Sequence, residues 1–95
     1  MTVGTIVKLK VPCMGNSPGT KGVAFNDYQQ GCQFIFENGD YDGFSNELDN
    51  VFQGTEQSAF LEEIGFDDKI TNYQFKNVMQ VTQDFRNGVF NSALK

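Results

Sequence analysis

The residues best spaced for chemistry lie in the run from Asn38 to Asp49. Asp40, Asp42 and Asp49 match three ligand positions of a twelve-residue calcium loop, and Gly43 matches its turn. Oxygen ligands at alternate positions around a glycine suit a hard cation that takes about 6–8 oxygens. Asn38 stands where that pattern has its first aspartate, and Asp49 where it has a bidentate glutamate. The competing reading is an Asn-Gly hairpin that happens to be acidic. The low-affinity calcium loop is therefore one of three functional expectations.

Enzyme chemistry has little to draw on. The 95 residues include no histidine, which removes Ser-His, Cys-His and histidine-based metal sites. Cys13 has no base partner in view, and a thiol at its ordinary pKa of about 8.5 is a weak nucleophile at neutral pH. Glu37, Asp40, Asp42, Glu62 and Glu63 could pair as carboxylates, but an acidic chain offers such pairs by chance. The expectation is a protein that is not an enzyme and carries no cofactor.

Binding is better supplied. Tyr28, Tyr41 and Phe44 are the aromatic residues nearest the loops, and Met14, Asn16, Pro18 and Thr20 occupy a Gly/Pro-rich stretch. Together they would form a contact surface for a protein partner, the leading expectation. Most of the ten Phe are needed for an interior. The acids Glu37, Asp40, Asp42, Glu47 and Asp49, with Glu56, Glu62, Glu63, Asp67 and Asp68, could instead present a phosphate-like face. The chain would then be an acidic inhibitor that mimics nucleic-acid charge.

A net charge of −5, with only Lys8 and Lys10 close together among seven basic residues, argues against direct nucleic-acid binding. No apolar stretch approaches a membrane span, and no basic segment followed by an apolar run opens the chain. A cytoplasmic protein is expected, with Cys13 and Cys32 as thiols.

The elements that must position these residues follow from periodicity. Val3, Thr5, Val7, Leu9 and Val11 alternate with Lys8 and Lys10, the period of a half-buried strand, while Ile6 breaks the pattern and points to a second layer. Pro12 ends that strand. A loop follows to Gly22, with Pro18-Gly19 suited to a type II turn. Val23 and Phe25 begin a second strand, and the stretch from Tyr28 to Gly31 turns it back.

Cys32 to Phe44 reads as an aromatic hairpin closed by a two-residue type I′ turn at Asn38-Gly39. That register sets Glu37 opposite Asp40, Phe36 opposite Tyr41 and Phe34 opposite Gly43. It leaves Phe44 on the wrong face unless a bulge intervenes at Asp42-Gly43. Val51-Phe52 forms a short apolar anchor, and Thr55 is placed to cap a helix over Glu56–Ile64. Tyr73 to Val81 is read as the fifth strand, followed by a short terminal helix from Gln83 that stops near Gly88.

Four short strands, a long Gly/Pro loop after the first and a fifth strand after a helical detour resemble the small SH3-like barrels. Thr20-Lys21-Gly22-Val23 and the run Phe36 to Tyr41 are similar to the phrasing of those domains. The chain also resembles small proteins of bacterial or phage type. The resemblance implies a single, mainly β (α+β) domain: an SH3-like open barrel of about five antiparallel strands, one helix inserted before the last strand, and a short C-terminal helix. It implies no particular function, since folds host many.

Overall fold

Alternation decides the first strand. Thr5, Val7 and Leu9 of β1 (Thr5–Leu9) are buried while Lys8 is exposed, and Ile6 turns to a second apolar layer on the opposite face. The computed structural model describes residues 1–46 and 56–95. It continues with β2 (Lys21–Tyr28), β3 (Gly31–Phe36), β4 (Tyr41–Ser45), α1 (Gln57–Phe60), β5 (Leu61–Phe66), α2 (Val78–Arg86) and α3 (Asn91–Leu94). The strands form one antiparallel sheet in the order β4-β3-β2-β1-β5, so β5 returns beside β1. A parallel bridge from Ser45 to Glu56 ties the end of β4 to the residue before α1. The expected architecture holds: a mainly β domain, a helix before the last strand and a short helix at the C-terminus.

The hairpin of β3 and β4 forms where expected, but its register is one residue away. Ile35 pairs with Tyr41, Phe34 with Asp42 and Cys32 with Phe44. The cause is the turn. Gly39 N–H donates to the Phe36 carbonyl at 2.9 Å and Phe36 N–H to the Asp40 carbonyl at 2.8 Å, so three residues loop out instead of two. Gly39 alone takes the left-handed conformation, φ +90°, as in a type I turn followed by a glycine bulge. Because strand side chains alternate, this single step moves Phe44 into the core beside Cys32, Phe34 and Phe36 with no bulge at Asp42-Gly43. Tyr41 goes to the other face. Glu37 no longer opposes Asp40: its Oε1 accepts from Lys21 N–H at 2.6 Å.

Further along, two elements change places. The helix expected over Glu56–Ile64 is a single turn, and Leu61–Phe66 is the fifth strand. Its Leu61 pairs with Leu9 and its Gly65 with Ile6. A ten-residue helix is marginal by itself, whereas the backbone groups of β1 need a partner on their free side. Conversely, Tyr73–Val81 is no strand. It runs irregularly to Asn77, whose side chain accepts from Gln80 N–H at 2.8 Å and starts α2, while Gln80 Oε1 accepts from Lys76 N–H at 2.7 Å. Asn77 and Gln80 are thus a capping pair at the spacing such pairs use. The helix stops at Gly88, φ +83°, as expected. Thr55 and the Val51-Phe52 anchor lie outside the described residues.

Two clusters result. On one face Val7, Leu9, Ala24, Cys32, Phe34, Phe36, Phe44 and Leu61 pack together. On the other, Val23, Phe25 and Ile35 are covered by Ile70, Val81, Phe90 and Leu94 from the C-terminal third. Tyr73 fastens this cover: its ring centroid is 5.1 Å from that of Phe90, and its hydroxyl donates to Asp84 at 2.6 Å.

Two measurements check this packing. A methyl group at Gly31 would overlap the Phe44 carbonyl, so Gly31→Ala should force β3 and β4 apart and cost about 1–3 kcal/mol in urea unfolding. Burial, and then the Asp84 bond, push the Tyr73 hydroxyl above its ordinary pKa of 10.0. The folded state therefore holds that proton more tightly, and the stabilisation is complete below about pH 10 and lost above it. Tyr73→Phe should cost about 1 kcal/mol at neutral pH. It should also flatten the fall in stability seen between urea melts at about pH 9 and about pH 11.

Candidate contact surface

The long loop after β1 contains a tight turn of its own. Cys13 and Asn16 exchange both backbone hydrogen bonds, at 3.0 and 2.8 Å, around Met14 (φ 52°) and Gly15 (φ 77°). The type I′ pattern expected at Asn38-Gly39 is found here instead. Pro18-Gly19 makes its expected turn, with Gly19 at φ +93° and Thr20 N–H returning to the Ser17 carbonyl.

This loop is tied to the tip of the β3–β4 hairpin by side chains. Asn38 Nδ2 donates to Asn16 Oδ1 at 2.6 Å and to Asp40 Oδ2 at 2.9 Å, and Asn16 Nδ2 donates to Asp40 Oδ2 at 3.3 Å. Asp40 N–H closes the set on Asn38 Oδ1 at 3.0 Å. Asn16 is 7% exposed, so a residue expected at the contact surface is instead a structural tie. Phe44 is fully buried and is likewise removed from that surface. Met14, Pro18, Tyr28 and Tyr41 are exposed, and Thr20 is half-buried.

The exposed residues do not form one surface. Asp40 and Asp42 lie on the side of β4 that Phe44 shares, and Cys13 joins the core cluster there, so the loop meets the hairpin on that side. Tyr41 and Gly43 alternate to the opposite side. Tyr28 belongs with them. It pairs with Gly31 at the end of β2, and its hydroxyl reaches across β3 to within 2.9 Å of where a Cβ on Gly43 would sit. Two residues of strand, about 7 Å, separate Gly43 from Tyr41. Gln33 lies between β2 and β4 on this face, bonded through Oε1 to Asn26 Nδ2 at 2.8 Å. The arrangement is a tyrosine patch with a glycine floor and a glutamine beside it.

Neither Gly43 nor Gln33 was expected at the contact surface from the sequence. Once the hairpin register is known, alternation alone puts them beside Tyr28. Burial, with smaller contributions from Cys32 and Asp42, raises the Tyr28 hydroxyl above its ordinary pKa, so it remains a donor.

The cation expectation rests on three aspartates. Asp40 Oδ2 is taken by the two amides, Asp42 Oδ1 accepts from Gly43 N–H at 2.8 Å, and Asp49 lies outside the described residues. Among the described residues no group of three Cys, Asp or Glu side chains is placed to hold a metal ion. Several other carboxylates bind within the protein: Asp27 accepts from Val3 N–H, Glu37 from Lys21 N–H, Glu62 pairs with Lys8 and Asp84 accepts from Tyr73. Among the described residues no helix is long and apolar enough to cross a membrane.

No known protein family, characterised protein or solved structure matches this chain.

Cys13 and Cys32 are buried free thiols. Burial pushes both above the ordinary range, helped at Cys13 by Asp42 and at Cys32 by Asp27 and opposed there by the N-terminal amine. Both should react with an aromatic disulfide reagent roughly tenfold more slowly, or slower still, in the native protein than in urea. Timed thiol titration checks this.

Proposed function

We propose that this chain is a non-enzymatic binding module that engages a protein partner, in the cytoplasm, through the patch of Tyr28, Tyr41, Gly43 and Gln33. One observation carries the reading: two tyrosines, 43% and 40% exposed, lie on the same sheet face, the hydroxyl of Tyr28 over Gly43 and Tyr41 two residues along the same strand. Tyrosine offers a large, stiff, amphipathic area at a low entropic cost, which is why it recurs at contact surfaces. The glycine supports it by letting the Tyr28 ring lie low over β3. The strand order, with β5 returning beside β1, supports the SH3-like resemblance but supplies no partner. A chain without histidine, its two thiols buried, favours binding over catalysis.

Met14 and Pro18 belong to the loop on the other side of the hairpin and form a separate surface. The test is capture of partners from the native host by immobilised protein, followed by measured affinity. Tyr28→Ala and Tyr41→Ala should each fold with losses near 1 kcal/mol. Each should weaken capture by about 2 kcal/mol, the scale of an anchoring aromatic. Gly43→Val should weaken it too, by lifting the Tyr28 ring. If the folded double tyrosine variant captures the same partners with unchanged affinity, the patch is not the contact surface.

A further inference from the structure

Asn38 precedes Gly39, and that pairing has a chemistry of its own. A glycine amide nitrogen, unhindered by a side chain, can give up its proton to water and attack the asparagine Cγ. The N–Cγ bond forms, the Cγ–Nδ2 bond breaks and ammonia leaves. Water then opens the five-membered imide to aspartate or to its β-linked isomer. No electrons are exchanged, and water is the only co-reactant.

In this fold the nucleophilic nitrogen, the carboxamide oxygen and the leaving nitrogen are all already hydrogen-bonded. The nucleophile, Gly39 N–H, donates to the Phe36 carbonyl at 2.9 Å. Asn38 Oδ1 accepts from Asp40 N–H at 3.0 Å. The leaving group, Nδ2, donates to Asn16 Oδ1 at 2.6 Å and to Asp40 Oδ2 at 2.9 Å. The Phe85 ring of α2 stands 3.2 Å from where a Cβ on Gly39 would be, so the Asn38–Gly39 peptide cannot swing in that direction without disturbing the helix. Attack on Cγ has to wait for a local opening of the hairpin tip.

We infer that Asn38 is a self-modification site held in check by the fold, and that its carboxamide is the latch joining the Cys13–Asn16 turn to the β3–β4 hairpin. Conversion to an acid replaces the donor shared by Asn16 and Asp40 with a second carboxylate facing Asp40 across 2.9 Å. Asn16 Oδ1 loses its donor at the same time, in a place where it is almost fully buried. The β-linked isomer also lengthens the backbone of a three-residue loop whose register it must hold. The latch opens and does not close again. This site lies on the loop side of the hairpin and does not depend on the tyrosine patch.

The test uses the full chain, incubated in mildly alkaline buffer either native or unfolded in urea. Peptide mass mapping separates Asn38 from Asn87, which also precedes a glycine. Asn38 should convert roughly tenfold more slowly, or slower still, in the native protein, because reaction requires local opening. Equal rates in the two states overturn the inference. Asn38→Asp then mimics the product. In it, the Asn16 amide, bonded to the Cys13 carbonyl, should lose its slow hydrogen exchange while the amides of β1 and β2 keep theirs. Unchanged exchange at Asn16 overturns the latch. Should Asn38→Asp not fold, the same exchange measurement on aged wild-type protein, in the fraction converted at Asn38, decides between the two outcomes.

Discussion

Strands β2 and β3 are apolar on both faces, and the rest of the chain is arranged to keep both faces from water. Ala24, Phe34 and Phe36 point one way and Val23, Phe25 and Ile35 the other, all fully buried. Each buried Val, Ile or Phe side chain contributes about 1.5–3 kcal/mol when removed from water, so neither face can be left open in a domain this small. On the first face Val7, Leu9, Phe44 and Leu61, from β1, β4 and β5, pack with the aromatic rings. On the second, β1 adds the partly buried Ile6. The C-terminal third supplies the cover, which is why Ile70, Val81, Phe90 and Leu94 belong to that cluster and not to the other.

The cover does not reach the whole face. Along β3 the second face passes from Ile35, under the helices, to Gln33, whose partner across β2 is Asn26. The tyrosine patch begins where the apolar layer ends, and its residue types suit that boundary: rings that shield the sheet, hydroxyls that keep to water. The loop side of the hairpin meets the same problem with amides. Asn16 is buried, and its polar atoms are matched by Asn38 and Asp40, so the loop can close over Cys13 without stranding a polar group. The proposed contact surface and the proposed latch are thus the two flanks of one hairpin, separated by the alternation of β4.

Much of this was legible along the chain because local physics dominates in its first half. The alternation from Thr5 to Leu9, the second layer implied by Ile6, the Pro18-Gly19 turn and the aromatic hairpin all depend on neighbours in sequence. The register of that hairpin was not legible, since Asn38-Gly39 suits a two-residue and a three-residue loop alike. Burying Phe44 decides between them, and that benefit exists only once β1 and β5 are in place. Tyr28 and Tyr41 were recognisable as aromatics near the loops, although the two-residue turn would have put Tyr41 on the core face. That they share one face of the hairpin, with the Tyr28 hydroxyl over Gly43, was not, because it depends on the register. Asn77 and Gln80 did carry a readable helix start; the β-branched and aromatic residues from Tyr73 to Val81 outweighed it in the sequence reading. The fifth strand carried almost no signal of its own. Every residue of β5 after Leu61 is exposed, so no alternation marks it, and it is a strand because β1 has an unpaired side.

By itself the sequence determined that this is a small acidic domain with an aromatic, mainly β interior, free of histidine chemistry, in which a Gly/Pro loop precedes a tight hairpin. Those properties are sums over composition or over a few adjacent residues, and they hold in any register. The tertiary structure decided which edge takes the fifth strand, which third of the chain covers the second face, and which flank of the hairpin carries the tyrosines. Each of those choices is made by pairing or burial between residues far apart in the chain, where a one-residue step sends a side chain from core to solvent.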